Sequence, residues 1–264
     1  MGKVFVVTNR KGGCGKSFTT ASLGFALARQ GKKVLCIDTD NQHSLTVSMG
    51  VREPDKLPVT IATVITDIIS KKEIDPTAGI IQHPEGVDFM PANNSLTGIE
   101  LTIAPLYGRE IILRKYLKKV KPLYDYCLID TSPTLDILTI NALAAADSAI
   151  IPVTPKFLDA KGLELLLRSI ADIREDINPS LDICGILMTM VDKRTNFSKE
   201  IISVIEQAYG EQIRIFKEHI PHSIRAAESS ATGKSIFAHD PNGKIASAYE
   251  SLAQELLFGG CDNG

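Results

Sequence analysis

The chain has 264 residues, 44% of them hydrophobic and 23% charged, which are globular proportions and enough chain to bury a substantial core. Its 29 basic and 31 acidic residues leave a net charge of −2, so the chain as a whole does not attract nucleic acid, and any such contact must come from a local basic patch. No run approaches the about 18 consecutive apolar residues of a membrane span. The five cysteines, Cys14, Cys36, Cys127, Cys184 and Cys261, form no C-x-x-C pair and read as thiols of a reduced, cytosolic protein. Met1-Gly2-Lys3 runs straight into a strand, which predicts no secretory leader.

The first predicted element is an apolar strand, Val4 to Thr8. Arg10-Lys11-Gly12-Gly13-Cys14-Gly15-Lys16-Ser17 follows it directly, and an amphipathic helix follows that, ending at Gln30-Gly31 with the glycine in the usual C′ place. A strand, a glycine-rich turn, a Gly-Lys-Ser and a helix start together predict a phosphate-binding loop. Glycines let backbone N–H groups close around phosphates, and the helix N-terminus adds its positive dipole end. Lys16 is then expected to reach the β- and γ-phosphates, and the Ser17 hydroxyl to take a position on Mg²⁺, with Phe18 next in line. The ordinary pattern G-x-x-x-x-G-K-[ST] is not met, because position 10 is Arg. What stands here is K-G-G-x-G-K-S, with a second lysine, Lys11, at the front. One lysine already serves the phosphates, so the second needs another target unless it is simply a solvated loop charge. Cys14 fills the variable loop position, where an inert small side chain is the simple reading.

Strand-length runs continue at Lys33 to Asp38, Val87 to Met90, Tyr126 to Thr131, Ser148 to Val153, Ile183 to Met190 and Ile213 to Phe216. Several are continuously apolar, as parallel strands covered on both faces are. Between Ser148 to Val153 and Ile183 to Met190 lies a helical stripe, Leu163, Leu166, Leu167, Ile170 and Ile173. No repeat or low-complexity linker interrupts the alternation. The prediction is a single α/β domain over residues 1–264, a P-loop NTPase with a mostly parallel twisted sheet flanked by helices. Ligands in such sheets sit at the carboxyl ends of the strands. Strand two ends in Asp38-Thr39-Asp40-Asn41-Gln42, and the Tyr126 strand ends in Asp130-Thr131-Ser132-Pro133. Two acidic residues facing a phosphate loop suit Mg²⁺-dependent phosphoryl transfer, one on the metal's waters and one on the attacking water. Either alone could be a helix cap or a turn residue.

These motifs resemble the deviant Walker A ATPases, the family of the ParA and MinD partitioning and positioning proteins, and in particular the short Soj-like kind. Val34 to Asp40, Tyr124 to Asp130, Thr139 to Leu143, Ile151-Pro152-Val153, Gly162-Leu163, Thr189-Met190, Ile220-Pro221, Gly233-Lys234-Ser235-Ile236 and Ala248 to Ala253 fall in family order over nearly the whole chain. The resemblance implies ATP and Mg²⁺ as cofactors. It makes Lys11 the lysine that reaches a partner's nucleotide, with Lys16 and Ser17 on phosphates and metal. Asp40 becomes the hydrolysis residue and Asp130 the magnesium-water residue, both counted with Ser17 at the metal. Thr189, Met190, Pro221 and His222 fall where the adenine is walled, and Arg194 and Arg225 on a DNA-binding surface. After Asp40 the family usually reads Pro-Gln-Gly-Asn, but here the sequence is Asn41-Gln42-His43-Ser44. The second switch is also altered, at Ser132 and at Asp136, where a glycine is usual. His222 replaces the usual DNA-binding arginine after Ile-Pro.

The implied function is an ATPase switch for plasmid, chromosome or mobile-element partitioning, cytoplasmic and nucleoid-associated. It forms a homodimer with ATP, binds DNA without sequence preference and is stimulated by a ParB-like partner. A protein cargo in place of DNA is the alternative. A MinD-like membrane switch needs a basic amphipathic C-terminal helix, whereas this chain's last residues are acidic and glycine-rich, so no membrane partner is expected. An iron–sulfur relative would want a cysteine in the loop after Asp130, where there is none, and a small-molecule ligase fits the front lysine less well.

Overall fold

The computed structural model describes residues 2–192 and 194–258. Seven strands form one sheet: β1 (Lys3–Val7), β2 (Val34–Asp38), β3 (Ile81–Gln82), β4 (Asp88–Met90), β5 (Tyr126–Asp130), β6 (Ser148–Val153) and β7 (Asp182–Met188). Their order across the sheet is β3-β4-β2-β5-β1-β6-β7, and every pairing is parallel except β3 with β4. The helices are α1 (Lys16–Arg29), α2 (Ser44–Ser48), α3 (Ile61–Ile69), α4 (Leu96–Ile103), α5 (Ile112–Val120), α6 (Ile137–Ala145), α7 (Phe157–Asp176), α8 (Asn196–Tyr209), α9 (Ile224–Thr232), α10 (Ile236–His239) and α11 (Lys244–Phe258).

The central strands are apolar throughout because both faces are covered. Val4 and Val6 of β1 turn into one core, with Leu35, Ile37, Tyr116, Leu163, Leu166 and Ile170, beneath α3 to α8. Phe5 and Val7 turn into the other, with Leu23, Leu27, Cys36, Tyr249 and Leu252, beneath α1 and α11. The predicted stripe on α7 lies where its spacing requires, with Leu163, Leu166, Ile170 and Ile173 buried. The first helix closes as predicted, with Gly31 at φ 77° just past its C-cap Gln30.

One predicted feature is corrected, and one element is added. Ile213 to Phe216 does not form a strand: it makes an isolated bridge, Ile186 to Ile215, with the Phe216 N–H donating to Ile186 and the Ile186 N–H to Arg214. The run is too short to extend pairing along β7, and Phe216 turns into the core instead. Conversely β3, only two residues long and half-exposed, carries no apolar run that would announce it.

The strand order places the site. β1 lies between β5 and β6, so the connection through α1 leads one way across the sheet while the connection through α6 crosses β1 to the other side. A crevice opens at such a switch point, over the carboxyl end of β1. Among the described residues no helix is long and apolar enough to cross a membrane.

Candidate nucleotide site

The loop between β1 and α1 is built for backbone donors. Gly13 and Gly15 hold φ of 72° and 86°, conformations that a side chain resists, and Gly15 is the N-cap of α1 without any capping side chain. The first N–H groups of α1 are therefore left for a ligand. Asn9 braces the loop from behind: its amide nitrogen donates to the Pro152 carbonyl at 2.6 Å, and its oxygen accepts from the Lys11 N–H at 3.0 Å. The Lys16 side chain is buried at 7% exposure and curls over the loop, its Nζ donating to the Lys11 carbonyl at 3.2 Å. Lys11 itself is exposed, as are Gly12 and Gly13. Cys14 is buried, its thiol donating to the same Lys11 carbonyl.

Acidic residues gather beside the lysine. Asp38 and Asp130 are register partners on β2 and β5, and both are fully buried. Asp130 Oδ1 accepts a long bond from the Thr20 hydroxyl at 3.4 Å, while Oδ2 is buried with no hydrogen-bond partner. Burial pushes the Asp130 carboxyl well above the carboxylate range. The charge of Asp38 adds to this, and Ser17 and Lys16 oppose it. Burial also lifts Asp38 to about 6, despite donation from Thr46 and the Asp40 N–H. A buried carboxylate oxygen without a donor, beside a second raised carboxylate and the Ser17 hydroxyl, is a setting that a divalent cation fits. Among the described residues no three His, Cys, Asp or Glu side chains converge closely enough to cage an ion. That suits Mg²⁺, which keeps several waters and takes one or two protein ligands beside phosphate oxygens.

Asp40, at 6% exposure, starts the loop into α2. Its Oδ1 accepts from the Gln42 N–H at 2.9 Å and its carbonyl from the His43 N–H at 2.9 Å, a tight turn that forces His43 to φ 43°. Sequence reading takes Asp38 only as a strand end, yet Asp38 is the carboxylate paired with Asp130. Thr46 shows why, since its N–H and hydroxyl both donate to Asp38 Oδ2 at 2.8 and 2.6 Å. The signal was available in the sequence, as an aspartate two residues before Asp40 inside the same strand end.

A cavity of about 270 Å³ opens beside the loop, lined by Gly15, Phe18, Thr189, Met190, Pro221 and His222 among others. All six were singled out from the sequence. Thr189 ties the cavity to the loop by donating to the Cys14 carbonyl at 2.8 Å. The lining residues outside the predicted set include Ala226, Ala227 and Ser230 of α9 and Ile245 and Tyr249 of α11. Phe18 and Tyr249 meet edge to face there, with ring centroids 5.7 Å apart. Arg194 and Arg225 are placed differently from the loop residues. Arg194, on the surface, is held by Asp192 through two bonds of 3.0 Å, and Arg225 by Glu228 at 2.9 Å.

A phosphate loop at a strand-to-helix turn, buried carboxylates on the neighbouring strand ends and an apolar slot beside them together define a P-loop nucleotide hydrolase. The family described as AAA domain matches residues 2–183. The sporulation initiation inhibitor protein Soj of Bacillus subtilis is 35% identical over 260 residues, covering 98% of this chain and 100% of that protein. The chromosome partitioning protein ParA of Caulobacter vibrioides is 31% identical, with 97% and 94% covered. A solved structure described as cobyrinic acid a,c-diamide synthase from Mycobacterium smegmatis, with bound ADP and magnesium, superposes with a TM-score of 0.85 at 34% identity, over 97% of this chain and 94% of that one. The chain belongs to this AAA-domain family and, within it, to the ParA/Soj-like P-loop ATPases.

Proposed function

We propose that this ATPase is a dimerising switch for DNA partitioning. With ATP and Mg²⁺ two copies close face to face, the closed pair holds duplex DNA on the nucleoid without sequence preference, and a ParB-like partner stimulates hydrolysis to release it. The coarser reading, a partitioning ATPase, rests on relatives named Soj and ParA that match nearly the whole chain. The observation that carries the finer reading is the pair of loop lysines. Lys16 is buried over its own loop, whereas Lys11 is exposed at the loop's front, which supports a role outside its own site.

In this reading the N–H groups of Gly12, Gly13, Cys14 and Gly15 surround the phosphates, and Lys16 neutralises them. Ser17 and Asp130 would hold Mg²⁺, Asp130 with the oxygen that has no donor of its own, and the ion would supply positive charge at the phosphates. Asp40 orients the attacking water. Phe18, Thr189, Met190, Pro221 and His222 wall the adenine. Lys11 crosses to the partner's site, where it offsets the repulsion of two polyanions and stabilises charge in the transition state, as an arginine finger does.

Subunit mixing tests this. Lys11→Ala retains ATP binding, unlike Lys16→Ala, but fails to dimerise with ATP, and partner-stimulated turnover falls by about 10³-fold or more. Asp40→Ala binds ATP and accumulates as the dimer by light scattering while turnover collapses. In a mixture of the two, the Asp40→Ala subunit donates its Lys11 to the intact site of the other, and hydrolysis returns at that site. If Lys11→Ala alone dimerises and hydrolyses like the parent, the intermolecular role is wrong.

One observation favours a second reading. The Mycobacterium smegmatis relative is described as a diamide synthase, and amide formation from a carboxylate requires ATP. The acceptor at Asp40 would then be a carboxylate in place of water, and phosphate release would depend on a carboxylic acid and ammonia. Turnover in their absence, raised by DNA and partner protein, favours the switch.

A further inference from the structure

Two glycines meet backbone to backbone where the helix after the Asp40 loop touches the helix that walls the base cavity. Gly50 follows α2 at φ 96° and Gly233 follows α9 at φ 69°. A Cβ on Gly233 would stand 2.5 Å from Gly50 Cα and 3.1 Å from its nitrogen, whereas a Cβ on Gly50 would meet nothing nearer than the Gly233 carbonyl oxygen at 3.5 Å. Just beyond, the Arg52 guanidinium donates to the Ala231 carbonyl at 2.6 Å, a second tie between the same two segments. The α9 side cannot readily give way. Ser235, two residues after Gly233, donates its N–H and its hydroxyl to Glu85 on the hairpin between β3 and β4.

Each end of this contact reaches the site. From α2, Thr46 holds Asp38 Oδ2, and Asp38 Oδ1 accepts the Asp40 N–H at 3.1 Å. From α9, Ala226, Ala227 and Ser230 line the cavity assigned to the base. We infer that the Gly50–Gly233 contact is a positioning link through which a base seated against α9 fixes α2, and with it the setting of Asp38 and Asp40. Gly233 is the positioning residue of the link, because it alone of the pair has no room for a side chain. The Gly-Lys-Ser-Ile segment at 233–236 thereby gains a task that phosphate chemistry does not give it. The inference rests on the nucleotide reading of the cavity.

Hydrogen exchange with ADP and Mg²⁺ tests the link. In the parent, ADP protects amides of both α9 and α2. In Gly233→Ala, α9 is still protected and α2 is not, and kcat for ATP falls between about tenfold and a hundredfold with KM within twofold, as misplacement of catalytic groups produces. Gly31→Ala is the control, since Gly31 has φ 77° with nothing within 4 Å and bears the same backbone cost with no contact. It keeps the parent's kcat. Should Gly233→Ala not fold, Arg52→Ala removes the second tie without backbone strain, and reduces α2 protection and kcat with KM unchanged. Persistent α2 protection in Gly233→Ala, or in Arg52→Ala where the first does not fold, overturns the link. Absence of protection at both helices in the parent instead overturns the nucleotide reading.

Discussion

Asp38 shows how one carboxylate can be structural and electrostatic at once. Its two oxygens accept from Thr46 and from the Asp40 N–H, so it shapes the loop, yet it lies without exposure beside Asp130. Burial lifts its carboxyl from 3.8 to about 6. A carboxyl whose folded value is raised binds its proton more tightly in the native chain than in the unfolded one. Its contribution to stability is present below about 3.8 and is lost as pH rises through about 6. The metal-free protein should therefore lose thermal stability over that window, and Asp38→Asn should show a shallower fall, the remainder belonging to the raised Asp130 carboxyl, even though the amide satisfies Thr46 less well. Mg²⁺ with ADP should flatten the parent's slope by supplying the missing positive charge. Melting temperatures taken from pH 4 to pH 7 check this. An equal slope in parent and Asp38→Asn removes Asp38 as its source. The strand-end aspartates were legible as a group. Asp38 itself is visible two residues before Asp40, but its pairing with Asp130 was not legible, because the register of β2 on β5 is a tertiary contact.

At the scale of elements, the sequence departure at Asp136 has a local explanation. Asp136 is the N-cap of α6, accepting the Thr139 N–H at 2.8 Å, and its other oxygen accepts from the hydroxyls of Ser132 and Thr134. The altered residues of the second switch thus bind one another and pin the loop that follows Asp130. Asp136→Ala should cost about 1 kcal/mol, the usual worth of a cap, and lower the melting temperature by about 2–4 °C in a chain of this size. Asp136→Asn, an equally good cap, should cost little. Equal melting points for the parent and Asp136→Ala would show the loop to be held by its other contacts. Long apolar strands and the α7 stripe were readable because burial on both faces leaves continuous or helical periodicity. α5 carries as clear a stripe, Ile112, Leu113, Tyr116, Leu117 and Val120, and that signal went unused. β3 was beyond reach, since two residues of pairing leave no periodicity to read, whereas the apolar run Ile213 to Phe216 reads as a strand but pairs only at Ile215.

For the whole molecule, a net charge of −2 stands against the polyanionic partner of the proposed function. The two arginines expected to meet DNA are each neutralised on their own surface, Arg194 by Asp192 and Arg225 by Glu228. The Arg194 guanidinium holds the Asp192 carboxyl down at about 2, so this partner stays charged at any working pH. The Arg194 side chain is 90% exposed, and an exposed pair is weak enough for a phosphate to displace the carboxylate. In the proposed reading, DNA would have to compete with Asp192 for each contact with Arg194. With ATP, binding to unrelated duplexes should fall with salt at a log–log slope of roughly −0.9 per phosphate contacted. Arg194→Ala should weaken all sequences alike and flatten that slope by about one. Asp192→Asn should do the reverse, raising affinity for every duplex because the guanidinium no longer has to leave a carboxylate first. Titrations at several salt concentrations separate these outcomes from a change in fold, since a fold defect lowers affinity in both variants. If neither substitution moves the salt dependence, this arginine does not contact DNA. If the parent with ATP binds no duplex even at low salt, the cargo is a protein.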